Sequence, residues 1–133
     1  MAFPTIDEVQ EMLEAACEEI PEAFYDELNL GIHLESEALL HPEGHGDLYI
    51  LGQYSVDLIG CQISIFYGSF KAVFADADRD AVSRQVKETL LHEFRHHMER
   101  RAGERGLEIE DEEELASYHH EYALRVGGKD ASG

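Results

Sequence analysis

One long amphipathic segment in the last third of the chain constrains the fold more than any other feature. Its apolar side chains recur every four residues, which is the spacing of one face of an α-helix: Val86, Leu90, Phe94 and Met98. Asp78 or Asp80 can provide the N-cap, and Gly103 follows the segment, so we predict a helix that runs to about Ala102. A helix of this length must bury its apolar stripe against a second layer of structure.

The first half of the chain predicts one helix and then strands. Thr5, followed three positions later by Glu8, forms a capping box before an apolar stripe that ends at Pro21. Segments rich in leucine, β-branched and aromatic residues predict three strands, over Ile32–Glu35, Leu48–Val56 and Gln62–Phe66. Gly52 inside the second strand indicates a bulge or a close backbone approach.

A last helix is expected from about Asp111 to Val126. Its buried face would consist of Leu115, Tyr118, Tyr122 and Leu124. The order of elements predicts a single α+β domain over residues 1–126, with helices segregated from a small sheet. Residues 127–133 are predicted to form a disordered tail.

The charge balance excludes several classes of function. The 133 residues include 29 Asp+Glu against 10 Lys+Arg, for a formal net charge of −19. Binding to nucleic-acid phosphates or to anionic membranes needs a basic surface, so we expect neither partner. No apolar run approaches the ~18 residues of a membrane span, and no signal peptide is evident. Cys17 and Cys61, far apart in apolar surroundings, indicate reduced core residues of a cytoplasmic protein.

The long predicted helix carries an H-E-x-x-H motif, which begins at His92 and ends at His96. Residues four apart share one helix face, so the two imidazoles can converge on one Zn²⁺. Glu93 is rotated by about 100° from His92 and lies beside the metal position. There it can take a proton from a metal-bound water. Both histidines face away from the apolar stripe, which favours a metal site over a packing role.

Three further histidines carry a weaker signal. His97 points about 100° away from His96, so it cannot share the metal without distortion. His119 and His120 are placed on the last predicted helix. Either could approach the metal cleft as a transition-state donor or as an additional ligand.

With these motifs the chain resembles the bacterial minimal zincin-like metallopeptidases, which are small cytoplasmic proteins with little beyond the zincin core. The resemblance spans about residues 5–125 and rests on EEIPEAF, LYILGQY, ISIFYGSF and TLLHEFRHHMERRAGERGLEIEDEEEL. It implies a zincin-like α+β fold, in which a small mixed sheet packs against the N-terminal helix, the long HExxH helix and the C-terminal helix. It also implies peptidase activity with Zn²⁺ as the cofactor.

The third zinc ligand has to be found separately. Many members of the wider family read H-E-x-x-H-x-x-G-x-x-D, but here Glu99 and Ala102 occupy the last two fixed positions. Glu99 lies on the same helix face as the histidines, yet three ligands from one straight helix would line up along its axis. Asp111 is favoured over Glu99 and Glu108, because it follows the turn where the family's aspartate is found. Glu108 lies in the same returning segment, and an N-cap role is the competing interpretation of Asp111.

The leading functional hypothesis is a zinc-dependent metallopeptidase that hydrolyses peptide bonds with a metal-activated water. Its substrate would be a peptide or protein, held along an exposed sheet edge such as that of Gln62–Phe66. The same ligands also suit Fe, Co or Mn. The alternative is a non-catalytic, metal-stabilised acidic protein-binding module, which a closed site of four protein ligands would favour. An acidic nucleic-acid mimic is a third hypothesis. The sequence leaves the oligomeric state open.

Overall fold

The computed structural model describes residues 2–106, 117–126 and 131–132. Its helices are α1 (Ile6–Glu18), α2 (Tyr67–Val73) and α3 (Arg79–Gly106), and a short 3-10 helix spans Glu22–Tyr25. Its strands are β1 (Ile32–Glu35), β2 (Leu39–Leu40), β3 (Leu48–Asp57), β4 (Gly60–Phe66), β5 (Ser117–Arg125) and β6 (Ala131–Ser132). The predicted α+β class, with a mixed sheet packed against helices, is confirmed.

The strands form one mixed sheet in the order β1-β4-β3-β5-β6, with β2 also paired to β3. β1 runs parallel to β4, and the other pairs are antiparallel. One expectation is wrong here: Gln62–Phe66 is not an exposed edge, because β4 lies between β1 and β3. Ile63 and Ile65 are fully buried in this position. A peptide therefore cannot add to this strand.

Both long helices begin at the caps that the sequence predicts. At α1, Thr5 Oγ1 accepts a hydrogen bond from the Glu8 amide at 3.2 Å, and the Glu8 carboxylate accepts one from the Thr5 amide at 2.8 Å. At α3, Asp78 Oδ1 accepts a hydrogen bond from the Ala81 amide at 2.8 Å. The predicted end near Gly103 is early by about one turn. This glycine stays out of the left-handed conformation that ends a helix.

The main core lies between α3 and the sheet, and α1 packs on α3. Fully buried side chains from α3 meet others from the two central strands: Val82, Val86, Leu90 and Phe94 against Leu51, Tyr54, Ile63 and Ile65. Removing this apolar surface from water is the main force that holds the helix on the sheet. This packing determines which face of α3 stays outside the apolar core.

Gly52 allows α3 to lie close to β3. A Cβ atom at this position would lie 2.7 Å from Thr89 Cγ2 and 3.4 Å from Glu93 Cγ. The pairing of β3 with β5 also shifts register between Ile50 and Gly52, which is a β-bulge. The glycine predicts one or the other, and the structure has both. The result is that Glu93 lies directly against the sheet.

The predicted C-terminal helix is wrong over residues 117–125, which form β5 and pair with β3. Tyr118 and Tyr122 are four residues apart, and this spacing fits one helical turn and two strand repeats equally well. The hydrogen-bond ladder with β3 favours the strand over the helix, and a local sequence pattern contains no information about this long-range pairing. Residues 111–116 of the predicted helix lie outside the described residues.

The segment predicted as a tail includes β6, whose residues pair with Ala123 and Leu124 of β5. The domain boundary at residue 126 stays a prediction. Within the described ranges, no helix combines the length and the apolar character needed to cross a membrane.

Candidate metal centre

His92 and His96 lie one turn apart on α3, and their imidazoles face each other. Their Nε2 atoms are 3.3 Å apart. Two nitrogen ligands of a tetrahedral Zn²⁺, each about 2.0–2.1 Å from the metal, would be about 3.4 Å apart. Both side chains are only partly buried, so solvent reaches them. The pair therefore has the separation that a shared metal ion requires.

A third imidazole, that of His120, comes from β5. One ligand atom from each of the three histidines lies within 4.8 Å of the other two. The rings of His96 and His120 stack with centroids 3.4 Å apart, and the His92 and His120 centroids are 5.3 Å apart. The strand thus supplies a donor from outside the helix, which a tetrahedral site needs.

Glu93 lies beside this cluster and is fully buried, with 0% of its surface exposed. Its Oε1 atom is 3.6 Å from Nδ1 of His120. Within the part of the chain that the structure describes, neither carboxylate oxygen has a hydrogen-bond partner. Burial, with a smaller contribution from the charge of Glu121, raises the pKa of Glu93 to about 8. Such orphaned oxygens beside histidines fit a centre that a bound cation completes.

The two helix histidines are held in the form that binds metals. Burial lowers the pKa of both His92 and His96. For His92, the positive charge that His96 carries when protonated is the next cause. Both effects favour the neutral imidazole, whose nitrogen lone pair can coordinate a metal.

The ring of Tyr122 borders the cluster. Its centroid lies 4.6 Å from that of His92, with the planes tilted by 38°. Tyr122 is two residues after His120 on β5, so both side chains project from one face of the strand. Burial, and then the charges of Glu88 and Glu93, raise the pKa of Tyr122. Its hydroxyl therefore stays protonated and can donate a hydrogen bond.

Of the three carboxylates considered as the third ligand, the structure describes only Glu99. Glu99 is exposed, and its Oε1 atom lies 3.5 Å from Nδ1 of His96, the ring nitrogen that is not directed at His92. It stands behind His96 and outside the three-histidine cluster. Asp111 and Glu108 lie outside the described residues, so their role as ligands stays a prediction.

His97 takes no part in the cluster, as predicted. It is fully buried, and its Nε2 lies 2.8 Å from the carbonyl oxygen of Asp26. Because a carbonyl only accepts, Nε2 carries the proton. Nδ1 then accepts the hydrogen bond from the Tyr54 hydroxyl at 2.6 Å. This pair of bonds ties α3 to β3 and to the loop at Asp26.

The sequence gives little weight to a place for His120 beside His92 and His96, because it assigns the residue to a helix. A usable signal is present in the segment. Large side chains alternate along it, at the period of a strand with one face on the protein interior: Tyr118, His120, Tyr122 and Leu124.

Comparison with protein families matches residues 18–121 to the zincin-like metallopeptidase family, and the chain belongs to this family. Among solved structures, the chain is similar to a conserved hypothetical protein from T. thermophilus. The two are 34% identical with a TM-score of 0.65, over 74% of this chain and 98% of that chain. The comparison with curated proteins finds no match. The family implies a metal, usually zinc, and the three histidines suit one.

Proposed function

We propose that this protein is a zinc-dependent metallopeptidase in which His92, His96 and His120 hold the metal. The observation that carries the proposal is the convergence of three imidazoles from α3 and β5 within 4.8 Å, beside the fully buried Glu93. Three protein ligands leave one tetrahedral position for water or substrate, which is the pattern of catalytic zinc sites and not of structural ones.

The proposed chemistry is general-base hydrolysis of a peptide bond. When bound, zinc would polarise the scissile carbonyl and lower the pKa of a coordinated water. Glu93 accepts a proton from the attacking water at a carboxylate oxygen and passes it to the nitrogen of the leaving amine. The hydroxyl of Tyr122 is the proposed donor to the carbonyl oxygen of the substrate, where negative charge develops.

The proposed substrate is an extended peptide that pairs with β5. β6 pairs with β5 only at Ala123 and Leu124. Among the described residues, the outer side of 117–121 therefore has no strand partner. A peptide added along this edge would run next to His120, with its main chain held by hydrogen bonds and its sequence only loosely selected. The net charge of −19 favours neutral or basic peptides over acidic ones.

The proposed compartment is the cytoplasm. Cys17 and Cys61, the two cysteines of the chain, are both free. Free thiols are typical of proteins that work in a reducing compartment.

A second candidate is a non-catalytic binding module in which the metal stabilises the fold and the acidic surface binds a basic partner. Glu93 has no exposed surface, which favours this candidate, because a general base has to contact the attacking water.

Peptide hydrolysis by zinc-loaded protein separates the two candidates. We expect cleavage of neutral and basic peptides by the parent protein. Glu93→Gln should lose about 10²–10⁴-fold of this rate, because the amide cannot take a proton from water. Equal rates for the two proteins, with equal binding of a basic protein ligand, would contradict the peptidase and support the binding module.

A further inference from the structure

The contact between Glu93 and His120 joins two elements that are distant in sequence. Glu93 belongs to α3 and His120 to β5, yet Glu93 Oε1 lies 3.6 Å from His120 Nδ1. The side chain of Glu93 has no exposed surface, and that of His120 is mostly buried, with 19% exposed. Water therefore screens this contact poorly, so the Glu93 carboxyl group and the His120 imidazole influence each other strongly.

A neutral imidazole carries one proton, on either Nδ1 or Nε2, and only the other nitrogen can bind a metal. A carboxylate beside Nδ1 favours a proton at that nitrogen, because the N–H can donate a hydrogen bond to it. Nε2 is then left with a lone pair. Carboxylates placed in this way behind metal-binding histidines are common, and their loss weakens metal binding.

We propose that Glu93 is a positioning residue of the metal centre in addition to its role as the general base. Its carboxylate accepts a hydrogen bond from Nδ1–H of His120, which favours the tautomer whose Nε2 can bind the metal. The same hydrogen bond links the ligand on β5 to α3. This inference rests on the proposed function for one point only, the role of His120 as third ligand.

The surroundings of Glu93 fit this role. Gly52 presents no side chain to it, and a Cβ atom there would lie 3.4 Å from Glu93 Cγ, so the carboxylate can sit between helix and sheet. Neither of its two oxygens has a hydrogen-bond partner among the described residues. A small approach from the 3.6 Å separation would let the N–H of His120 donate a hydrogen bond to this buried carboxylate.

Glu99 provides a matched control within the same helix. Its Oε1 lies 3.5 Å from Nδ1 of His96, which is a contact of similar length, but the Glu99 side chain is 64% exposed. Water screens this pair and competes for both groups. Removing the Glu99 carboxylate should therefore leave His96 able to bind metal as before.

The test is the zinc affinity of three single variants, measured by competition with a chelator. Glu93→Leu, which has no acceptor, should lower the affinity by about 10–100-fold. Glu93→Gln should lose far less, since its amide oxygen can still accept from Nδ1–H, and Glu99→Leu should match the parent. The proposal is overturned if Glu93→Leu binds zinc as tightly as the parent.

Nitrogen-15 NMR of the histidine rings keeps the test decisive even if Glu93→Leu does not fold. In the zinc-loaded parent protein, where the positive charge of the metal keeps Glu93 ionised, His120 should carry its proton on Nδ1. A proton on Nε2 of His120 in the zinc-loaded parent overturns the proposal.

These readouts are independent of catalysis. If the parent and the variants show the expected order of zinc affinities but the zinc-loaded parent cleaves no peptide, the peptidase proposal is contradicted and the positioning role of Glu93 stands. His120→Ala with parental zinc affinity would remove the positioning role, while any cleavage that persists would leave the peptidase standing.

Discussion

His120 of β5 lies directly opposite Tyr54 of β3 in the pairing of these two strands. Tyr54 is fully buried and its hydroxyl is 2.6 Å from Nδ1 of His97 on α3. The register of β5 is thus linked to the helix that carries the other two histidines. Because side chains alternate along a strand, a slip of one residue would turn His120 to the opposite face of the sheet.

The first prediction concerns the close approach of α3 to β3. Gly52→Ala should destabilise the protein by about 1–3 kcal/mol, because the new Cβ would lie 2.7 Å from Thr89 Cγ2 and would push the helix away. The same displacement should lower zinc affinity, since the helix carries His92 and His96. Urea unfolding and zinc titration measure the two effects.

Gly103→Ala is the control for this experiment. A Cβ atom at Gly103 meets no heavy atom of the described residues within 4 Å, and the residue lies inside α3. The substitution should therefore stabilise the protein by about 0.5–1 kcal/mol and leave zinc binding unchanged. Equal stability of Gly52→Ala and the parent would show that α3 does not depend on this contact.

The local features of the site were predictable, and the feature that completes it was not. The Thr5 cap and the pairing of His92 with His96 depend on residues within one helical turn, so their spacing contains the information. The position of His120 depends on β5 pairing with β3, which is more than sixty residues distant in sequence. Likewise, the burial of β4 follows from the parallel pairing of β1 beside it, and strand order is absent from local patterns.

A second prediction concerns removal of the metal. Metal that binds only the folded protein stabilises it by mass action, by about 2.7 kcal/mol at a free zinc concentration one hundred times the Kd. A chelator should accordingly lower the thermal unfolding midpoint of the parent protein. The midpoint of His92→Ala should hardly respond, and an equal response of the two proteins would mean that zinc binds elsewhere.

A third prediction separates the hydroxyl of Tyr122 from its ring. Tyr122→Phe keeps the ring against His92, so zinc affinity should stay at the parental level. Hydrolysis should fall by about 10²-fold if the hydroxyl donates to the carbonyl oxygen of the substrate. Parental activity of Tyr122→Phe would assign the residue to packing alone.

The central claim is that three histidines, two from α3 and one from β5, form one zinc site. Its most direct test is the zinc affinity of His120→Ala, measured beside Glu99→Ala and Asp111→Ala under the same conditions. We predict a loss of more than about tenfold for His120→Ala, with parental affinity for Glu99→Ala, because only the former removes a donor from the cluster. Parental affinity of His120→Ala, together with a large loss in Asp111→Ala, would contradict the account.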